Sequence, residues 1–352
     1  MKVLGIETSC DETAAAVVQD GRIMLSNTVA SSMELHKKFG GIVPEIAARS
    51  HIEVIIPVIK QALSDAKCDW QEIDAIGVTH GAGLGGSLLI GVMTARTLAI
   101  VHQKPLYAVN HVEAHVYANF LTDSALPGYQ MPANQPSFPL LAVIISGGHS
   151  QLVLFHDHFK YQILGQTQDD AVGEAFDKVA KMLGLPYPGG PAIAEIAKKG
   201  NPKAFRLPTA QMDKYDFSFS GLKTAVLRQA QSEIGETYTF PSIRLPERLS
   251  DSQKADIAAS FQYTAIKTIV EKTRLAYEEF KPKSVLVAGG VASNKELIRQ
   301  LSAALPLAVH SPDPKLCTDN AAMVAALAYF EASHHQDPAD PYKLTIHPSL
   351  SM

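Results

Sequence analysis

Apolar and polar positions divide this chain into two halves that open alike. The first opening is "KVLGIETSCDETAAAVVQDGRIMLSNT", residues 2–28, and the second is "LLAVIISGGHSQLVLFHDHFKYQILGQT", residues 140–167. Each reads as an apolar strand, a turn of small polar residues, a second apolar strand, a polar turn and a third strand. The turns between the first two strands are "ETSCDE" and "SGGHS"; the later ones are "QDG" and "HDH". The same three-strand meander at the head of each half predicts an internal duplication. Helical spacing follows each copy, in "VPEIAARSHIEVIIPVIKQALSDA" (43–66, with Pro44 in the first turn) and in "AVGEAFDKVAKMLG" (171–184). A later strand, "SVLVAGG" (284–290), leads into the helical "VASNKELIRQLSAAL", and "DNAAMVAALAYFEASHH" (319–335) is the last clear helix. The proline-rich, polar stretch 121–139 reads as a linker between the halves, and 231–253 as an exposed insertion.

This alternation predicts an α/β protein of two related lobes with a central cleft: an N-terminal lobe over 1–135, a C-terminal lobe over 136–335 and a tail over 336–352. Three small-residue turns at matching places, "TSCDE", "SGGH" (146–149) and "AGGVASN" (288–294), offer backbone N–H groups to phosphate oxygens. Each is weak alone, since a Gly-Gly after a strand is usually just a turn. As a set in a duplicated chain they describe the actin-like ATPase architecture of sugar kinases and Hsp70-type chaperones. None of these three turns matches the G-x-x-x-x-G-K-[ST] loop or the G-x-G-x-x-G fingerprint.

Composition narrows the class. The chain has 352 residues, 46% hydrophobic and 19% charged, enough to bury a sizeable core. Cys10, Cys68 and Cys317 lie far apart without a C-x-x-C, which fits a reducing compartment. The apolar run before Glu7 is too brief for a signal peptide, and "SLLIGVMTARTLAIVH" is interrupted by Arg96, short of the ~20 residues a bilayer span needs. The expectation is a cytoplasmic protein with no membrane contact. A formal net charge of −4 argues against autonomous, salt-driven nucleic-acid binding and leaves room for a local basic patch or a partner subunit.

The clearest candidate chemistry is in "VNHVEAHVYA", residues 109–118. At about 100° per residue, His111 and His115 share one helix face and can hold one metal. A zinc peptidase of the H-E-x-x-H type places its glutamate beside the first histidine. Here Glu113 is at i+2, on the opposite face, so the protease reading loses its base. A histidine pair on a polar helix face is an equal alternative at this point. A metal needs a further ligand, usually a carboxylate, and two histidines with one carboxylate suit iron or zinc. On local pattern, "TDN" before the last helix reads as an N-cap, and Asp177 in "EAFDKVA" as a surface aspartate. Asp11 and Glu12, in the first turn, are candidates for taking a proton or positioning a metal, with ordinary turn chemistry the alternative.

Longer stretches carry a family resemblance. "GIETSCDETAAAVV", "FGGIVPEIAARSH", "GLGGSLLIGVMTARTLA", "PLYAVNHVEAH", "SGGHSQLV", "DDAVGEAFDKVAKMLGLPYPGGP", "DFSFSGLKTA", "AGGVASNKELI" and "CTDNAAM" together resemble the bacterial TsaD family over about residues 2–330. These are tRNA N6-adenosine threonylcarbamoyltransferases, once described as O-sialoglycoprotein endopeptidases. The departures are Ala82, where the family has proline in G-P-G-L, and the two variable segments at 121–139 and 231–253.

The resemblance implies a duplicated actin-like ATPase fold and a metal held by His111, His115 and Asp319, with iron expected and zinc the alternative. It implies a substrate, threonylcarbamoyl-AMP, bound by Ile144, Ile145, Ser146, Gly147, Gly148, Asp177, Gly190 and Asn294. Transfer would be to N6 of adenosine 37 in tRNAs reading codons that begin with A, releasing AMP; the first-turn position of Asp11 and Glu12, not the resemblance, makes them the catalytic candidates. The implied partners are a TsaB paralogue and the TsaE ATPase, with helix residues Ile52, Ile55, Ile56 and Ile59 the expected contact and core packing its alternative. The competing functions are a sugar-kinase-like phosphotransferase and a non-catalytic subunit of the same fold; neither requires a metal on that triad.

Overall fold

The computed structural model describes residues 1–352. In chain order the strands are β1 (Lys2–Glu7), β2 (Glu12–Gln19), β3 (Ile23–Ser31), β4 (Ala75–Gly81), β5 (Leu106–Asn110), β6 (Asp123–Ser124), β7 (Leu140–Ile145), β8 (Ser150–Asp157), β9 (Lys160–Gln166), β10 (Ser284–Ala288) and β11 (Val309–His310). The helices are α1 (Met33–Lys37), α2 (Pro44–Asp65), α3 (Gly85–His102), α4 (His111–Tyr117), α5 (Val172–Met182), α6 (Gly189–Ala197), α7 (Ser220–Glu233), α8 (Leu245–Arg248), α9 (Asp251–Phe280), α10 (Lys295–Ala304), α11 (Pro314–Cys317) and α12 (Ala321–Ser333). They form two compact units, residues 1–136 with 310–352, and residues 137–309.

The first unit carries a six-stranded sheet in the order β5-β4-β1-β2-β3-β6. The predicted meander is its antiparallel part, β1 with β2 and β2 with β3, and β4 adds parallel to β1. Asp20 and Gly21 both take positive φ, as a tight two-residue hairpin turn needs. The second unit repeats the plan: β7, β8 and β9 form the meander, and β10 lies parallel to β7. Both first strands are buried on both faces, which is why they read as unbroken apolar runs.

The expected boundary at residue 335 differs from the structure. α12 packs on the sheet of the first unit, not with the second. Small residues make this possible. A Cβ on Gly5 would lie 2.3 Å from the Ala321 carbonyl oxygen, and one on Gly77 2.6 Å from the Ala328 Cβ. Ala321 to Ala328 are wholly buried, so the helix is apolar all round. The segment 336–352, expected as a tail, also belongs to the first unit, and Leu344 and Ile346 pack against its core.

Other expectations shift in detail. Ile55 and Ile59 of α2 are core, while Ile52 and Ile56 are exposed, so the four isoleucines span two faces. The predicted helix after β10 starts later, at Lys295, because residues 290–293 form one tighter turn. Within 231–253, Tyr238 and Ile243 are exposed as expected of an insertion, but Leu245 and Leu249 are buried and anchor it.

Candidate metal centre

α4 begins where β5 ends. The side chain of Asn110 caps it, Oδ1 accepting from the backbone N–H of Val112 (2.9 Å) and Glu113 (3.3 Å). The helix therefore starts at His111, and one turn later His115 lies on the same face. The two imidazole rings meet edge to face with centroids 4.8 Å apart. The third group arrives from the turn before α12. Asn320, not Asp319, caps that helix, its Oδ1 accepting from Met323 N–H at 3.1 Å. Asp319 Oδ1 instead lies 3.6 Å from His111 Nε2 and 3.4 Å from His115 Nε2.

These groups fit a small divalent cation. Ligands at the ~2.0–2.1 Å bond lengths of zinc or similar ions sit about 3.4 Å apart around a tetrahedral centre. The three ligand atoms here all lie within 4.8 Å of one another. The ring of His111 is also held in orientation. Its Nδ1 lies 3.1 Å from Ser9 Oγ and 3.4 Å from Glu7 Oε2, which leaves Nε2 facing Asp319. Glu7 is wholly buried, and takes Ser9 N–H on Oε1 and Thr79 Oγ1 on Oε2, each at 2.5 Å. Burial penalises its charge, but the His111 imidazole outweighs that and holds the carboxyl below its ordinary range. Burial likewise opposes protonation of His111, yet the Asp319 and Glu7 carboxylates raise it to about 9. Sequence reasoning missed Glu7 and Ser9. The available signal was an acid closing a strand that is otherwise all apolar.

Glu113 does not join the imidazoles. It is buried, its Oε1 has no hydrogen-bond partner, and burial pushes its carboxyl up to about 7. Glu331 of α12 is pushed up to about 8 by its own burial and then by the charge of Glu113, so Glu113 faces that helix.

The first turn is part of the same unit. Its backbone is tied down from two helices: the Cys10 carbonyl accepts from Ser87 Oγ of α3 and lies 3.1 Å from His51 Nε2 of α2. The Asp11 carbonyl accepts from the N–H and Oγ of Ser32. Glu12 opens β2 and accepts from Ser31 Oγ at 3.2 Å. Burial, then repulsion from Asp319 and Asp11, pushes its carboxyl up to about 9. Glu12 therefore lies close enough to Asp319 to feel its charge.

The remaining expected residues lie in the second unit. Ile144 and Ile145 end β7 with buried side chains, so only their backbone can meet a ligand. Ser146 and His149 close the turn, Ser146 N–H donating to the His149 carbonyl at 2.8 Å. Gly147 and Gly148 have open space where a side chain would stand. Asp177 Oδ1 accepts from Gly189 N–H at 2.7 Å, which fixes the start of α6 and with it Gly190. Asn294 caps α10 and donates to Gln262 at 3.0 Å. It lines a cavity of about 980 Å³ with Pro191, Gln262, Tyr263 and Arg299, large enough for a nucleotide-sized molecule. No local sequence pattern pointed to Gln262, Tyr263 or Arg299 there.

A sequence profile described as "TsaD: tRNA N6-adenosine threonylcarbamoyltransferase" matches residues 23–326. The chain belongs to the TsaD family. A tRNA N6-adenosine threonylcarbamoyltransferase of Thermomicrobium roseum is 51% identical over 340 residues, covering 94% of this chain and 92% of that protein. One of Dehalococcoides mccartyi strain CBDB1 is 46% identical over 354 residues, covering 100% and 99%. Among solved structures, full-length HypF in its phosphate- and nucleotide-bound form aligns at a TM-score of 0.56 with 14% identity, over 96% of this chain and 47% of that one. At that identity the likeness concerns the fold alone, and it agrees with the actin-like, sugar-kinase-like architecture of TsaD proteins. The two histidines and the aspartate brought together here lie in "VNHVEAH" and "CTDN", two of the stretches that carry the family resemblance.

Proposed function

We propose that this chain transfers the threonylcarbamoyl group of threonylcarbamoyl-AMP to N6 of adenosine 37 in tRNAs reading codons that begin with A, releasing AMP. The observation that carries the reading is family membership across residues 23–326. The convergence of His111, His115 and Asp319 supports it. In the transfer, the adenosine amine attacks the carbamoyl carbon. A C–N bond forms, the C–O bond to the phosphate breaks, and AMP leaves with the electron pair. The amine is a weak nucleophile because its lone pair is delocalised into the purine, so the activated donor provides the driving force.

His111, His115 and Asp319 would hold the cation, iron in our reading, with zinc the alternative. When bound, it supplies Lewis acidity at the donor's oxygens. The backbone of Ile144 to Gly148, with Asp177, Gly190 and Asn294, holds the adenylate. Of the two carboxyls in the first turn, we assign Asp11 to accept the amine proton and Glu12, whose pKa burial raises, to donate a hydrogen bond. The working partners are a TsaB paralogue and the TsaE ATPase. The exposed Ile52 and Ile56 of α2 with Leu89 and Met93 of α3, two helices that pack together, are the apolar face we assign to the paralogue. Three free cysteines fit work in the cytoplasm.

The test is nucleoside mass analysis of unmodified tRNA incubated with this protein, its two partners, threonine, bicarbonate, ATP and the enzyme that makes the adenylate. The reading expects the threonylcarbamoylated nucleoside and stoichiometric AMP. Absence of both in a reaction where the adenylate accumulates refutes it.

A further inference from the structure

The last residues of the chain are bonded to the helix that carries the metal-binding histidines. Residues 339–351 run over the first unit as an irregular segment with turns at 341–343 and 348–349, fixed at several points. Ala339 N–H donates to the Leu106 carbonyl at 2.7 Å. The Arg96 guanidinium grips three successive stretches of it: Nε to the Pro341 carbonyl at 2.5 Å, Nη2 to Tyr342 at 2.9 Å and Nη1 to Leu344 at 3.2 Å. His347 N–H donates to the His80 carbonyl at 2.7 Å, and Gly83 N–H to the Pro348 carbonyl at 3.0 Å. Gly81 has no room for a side chain while the segment is in place, since a Cβ there would lie 2.2 Å from the His347 carbonyl oxygen. The segment ends on Asn110, whose Nδ2 donates to the Ser351 carbonyl at 3.1 Å.

Asn110 therefore uses both ends of its amide. Oδ1 caps α4 and Nδ2 holds the C-terminal segment, so the segment fixes the orientation of the cap. A second route reaches the same histidine. The Pro348 carbonyl holds Gly83, the next residue Leu84 donates to the Ser9 carbonyl at 2.7 Å, and Ser9 Oγ lies 3.1 Å from His111 Nδ1. We propose that residues 339–351 are a strap that positions α4 for metal binding, and that Asn110 is the positioning residue through which it acts. This rests on the reading of His111, His115 and Asp319 as metal ligands.

Two changes break the same bond from opposite sides. Deleting Ser351 and Met352 removes the acceptor while Leu350 stays in place. Asn110→Asp keeps the capping oxygen and removes the donor. Its added negative charge favours a cation, so a loss of affinity cannot come from charge. Each change should weaken Zn2+ binding, read by competition with a chromophoric chelator, by roughly tenfold, the scale of outer-shell contacts at metal sites. Each should also speed amide hydrogen exchange within 112–117 of the metal-free protein. The two combined should do little more than either alone, because they delete one interaction. Unchanged affinity and exchange, or fully additive effects, overturn the proposal. Should the unaltered protein bind no divalent metal, the ligand reading fails, and exchange in the metal-free protein still decides whether the strap orders α4.

Discussion

Glu7 stands behind His111, with Oε2 3.4 Å from Nδ1 of an imidazole whose other nitrogen faces Asp319. The carboxylate is wholly buried, yet three neighbours, Ser9, Thr79 and His111, satisfy it. It thereby sets which imidazole nitrogen is free for a metal. Glu7→Gln keeps the shape and removes the charge. Metal affinity should fall by about tenfold, while Glu7→Asp, which keeps the charge and shortens the reach, should recover part of it. Isothermal titration of the metal-free protein measures both. Equal affinities for the glutamine variant and the parent would mean Glu7 does not act on His111.

The three proposed ligands should act together. Replacing His111, His115 or Asp319 by alanine leaves two ligands, too few to compete for a cation with solvent and buffer. Bound metal should fall from about one per chain to a small fraction in each variant, with the far-UV circular dichroism unchanged. His115→Ala retaining full metal content, measured by plasma emission, would show that the site lies elsewhere.

Asp11 and Glu12 are separable by kinetics. With purified threonylcarbamoyl-AMP and tRNA in excess, Asp11→Asn should slow single-turnover transfer by about 10²-fold, the usual scale for loss of a general base. Adenylate binding should change little, because the residues assigned to it lie in the second unit. Glu12→Gln keeps a neutral hydrogen-bond donor and should be milder than Glu12→Ala. An unchanged single-turnover rate for Asp11→Asn would remove Asp11 from the proton transfer.

Asp170 gives a prediction about acid stability. Its carboxylate bonds Lys178 of α5 at 3.0 Å and Lys223 of α7 at 2.8 Å. Burial opposes its charge, but the two ammonium groups outweigh that and lower its pKa. The lowered folded value means this stabilisation is complete above the unfolded carboxylate pKa of about 3.9 and is lost as pH falls through the folded value. Asp170→Asn should therefore destabilise at pH 7 by about 1 kcal/mol, given that the lysines are partly exposed, and the difference from the parent should vanish towards pH 2. Urea unfolding at the two pH values checks it, and an equal difference at both would deny the ion pairs a role.

The meanders were legible in sequence because their apolar runs and polar turns are local. α12 was legible as a helix, but not its place. Its docking depends on Gly5 and Gly77 leaving room for an alanine-rich face some 250–320 residues away in sequence, and nothing near residue 321 announces that. The histidine pair could be read from i, i+4 spacing, while Asp319 came only through family resemblance, since local pattern made it a cap. The structure gives that duty to the next residue, Asn320. The role of Glu7 depends on a contact with a residue 104 positions away, which no local pattern carries.

The last prediction concerns tRNA, where charge and family pull apart. A chain of net charge −4 has little long-range attraction for a polyanion. Its family nonetheless modifies tRNA, so the competent surface should be shared with the paralogue, whose expected seat is the exposed Ile52, Ile56, Leu89 and Met93. The isolated chain should bind tRNA weakly, and adding the partner should raise affinity by at least tenfold. Placing charge at Ile52 and Ile56 (Ile52→Glu with Ile56→Glu) should abolish that gain by preventing assembly, without altering metal content. Affinity measured at several salt concentrations adds a count of phosphates, since each one neutralised contributes a slope of about −0.7 to −0.9 in log K against log salt. The complex should show a steeper slope than the chain alone. Tight, salt-sensitive binding by the isolated chain, unchanged by the partner, would refute the shared surface. The account would then pass to the groove of about 510 Å³ where Lys203, Arg206 and Lys267 stand beside Phe205 and Tyr263 with no acidic residue in the lining. Lys203→Glu with Arg206→Glu would flatten the slope in that case, and would leave it unchanged if the shared surface is correct.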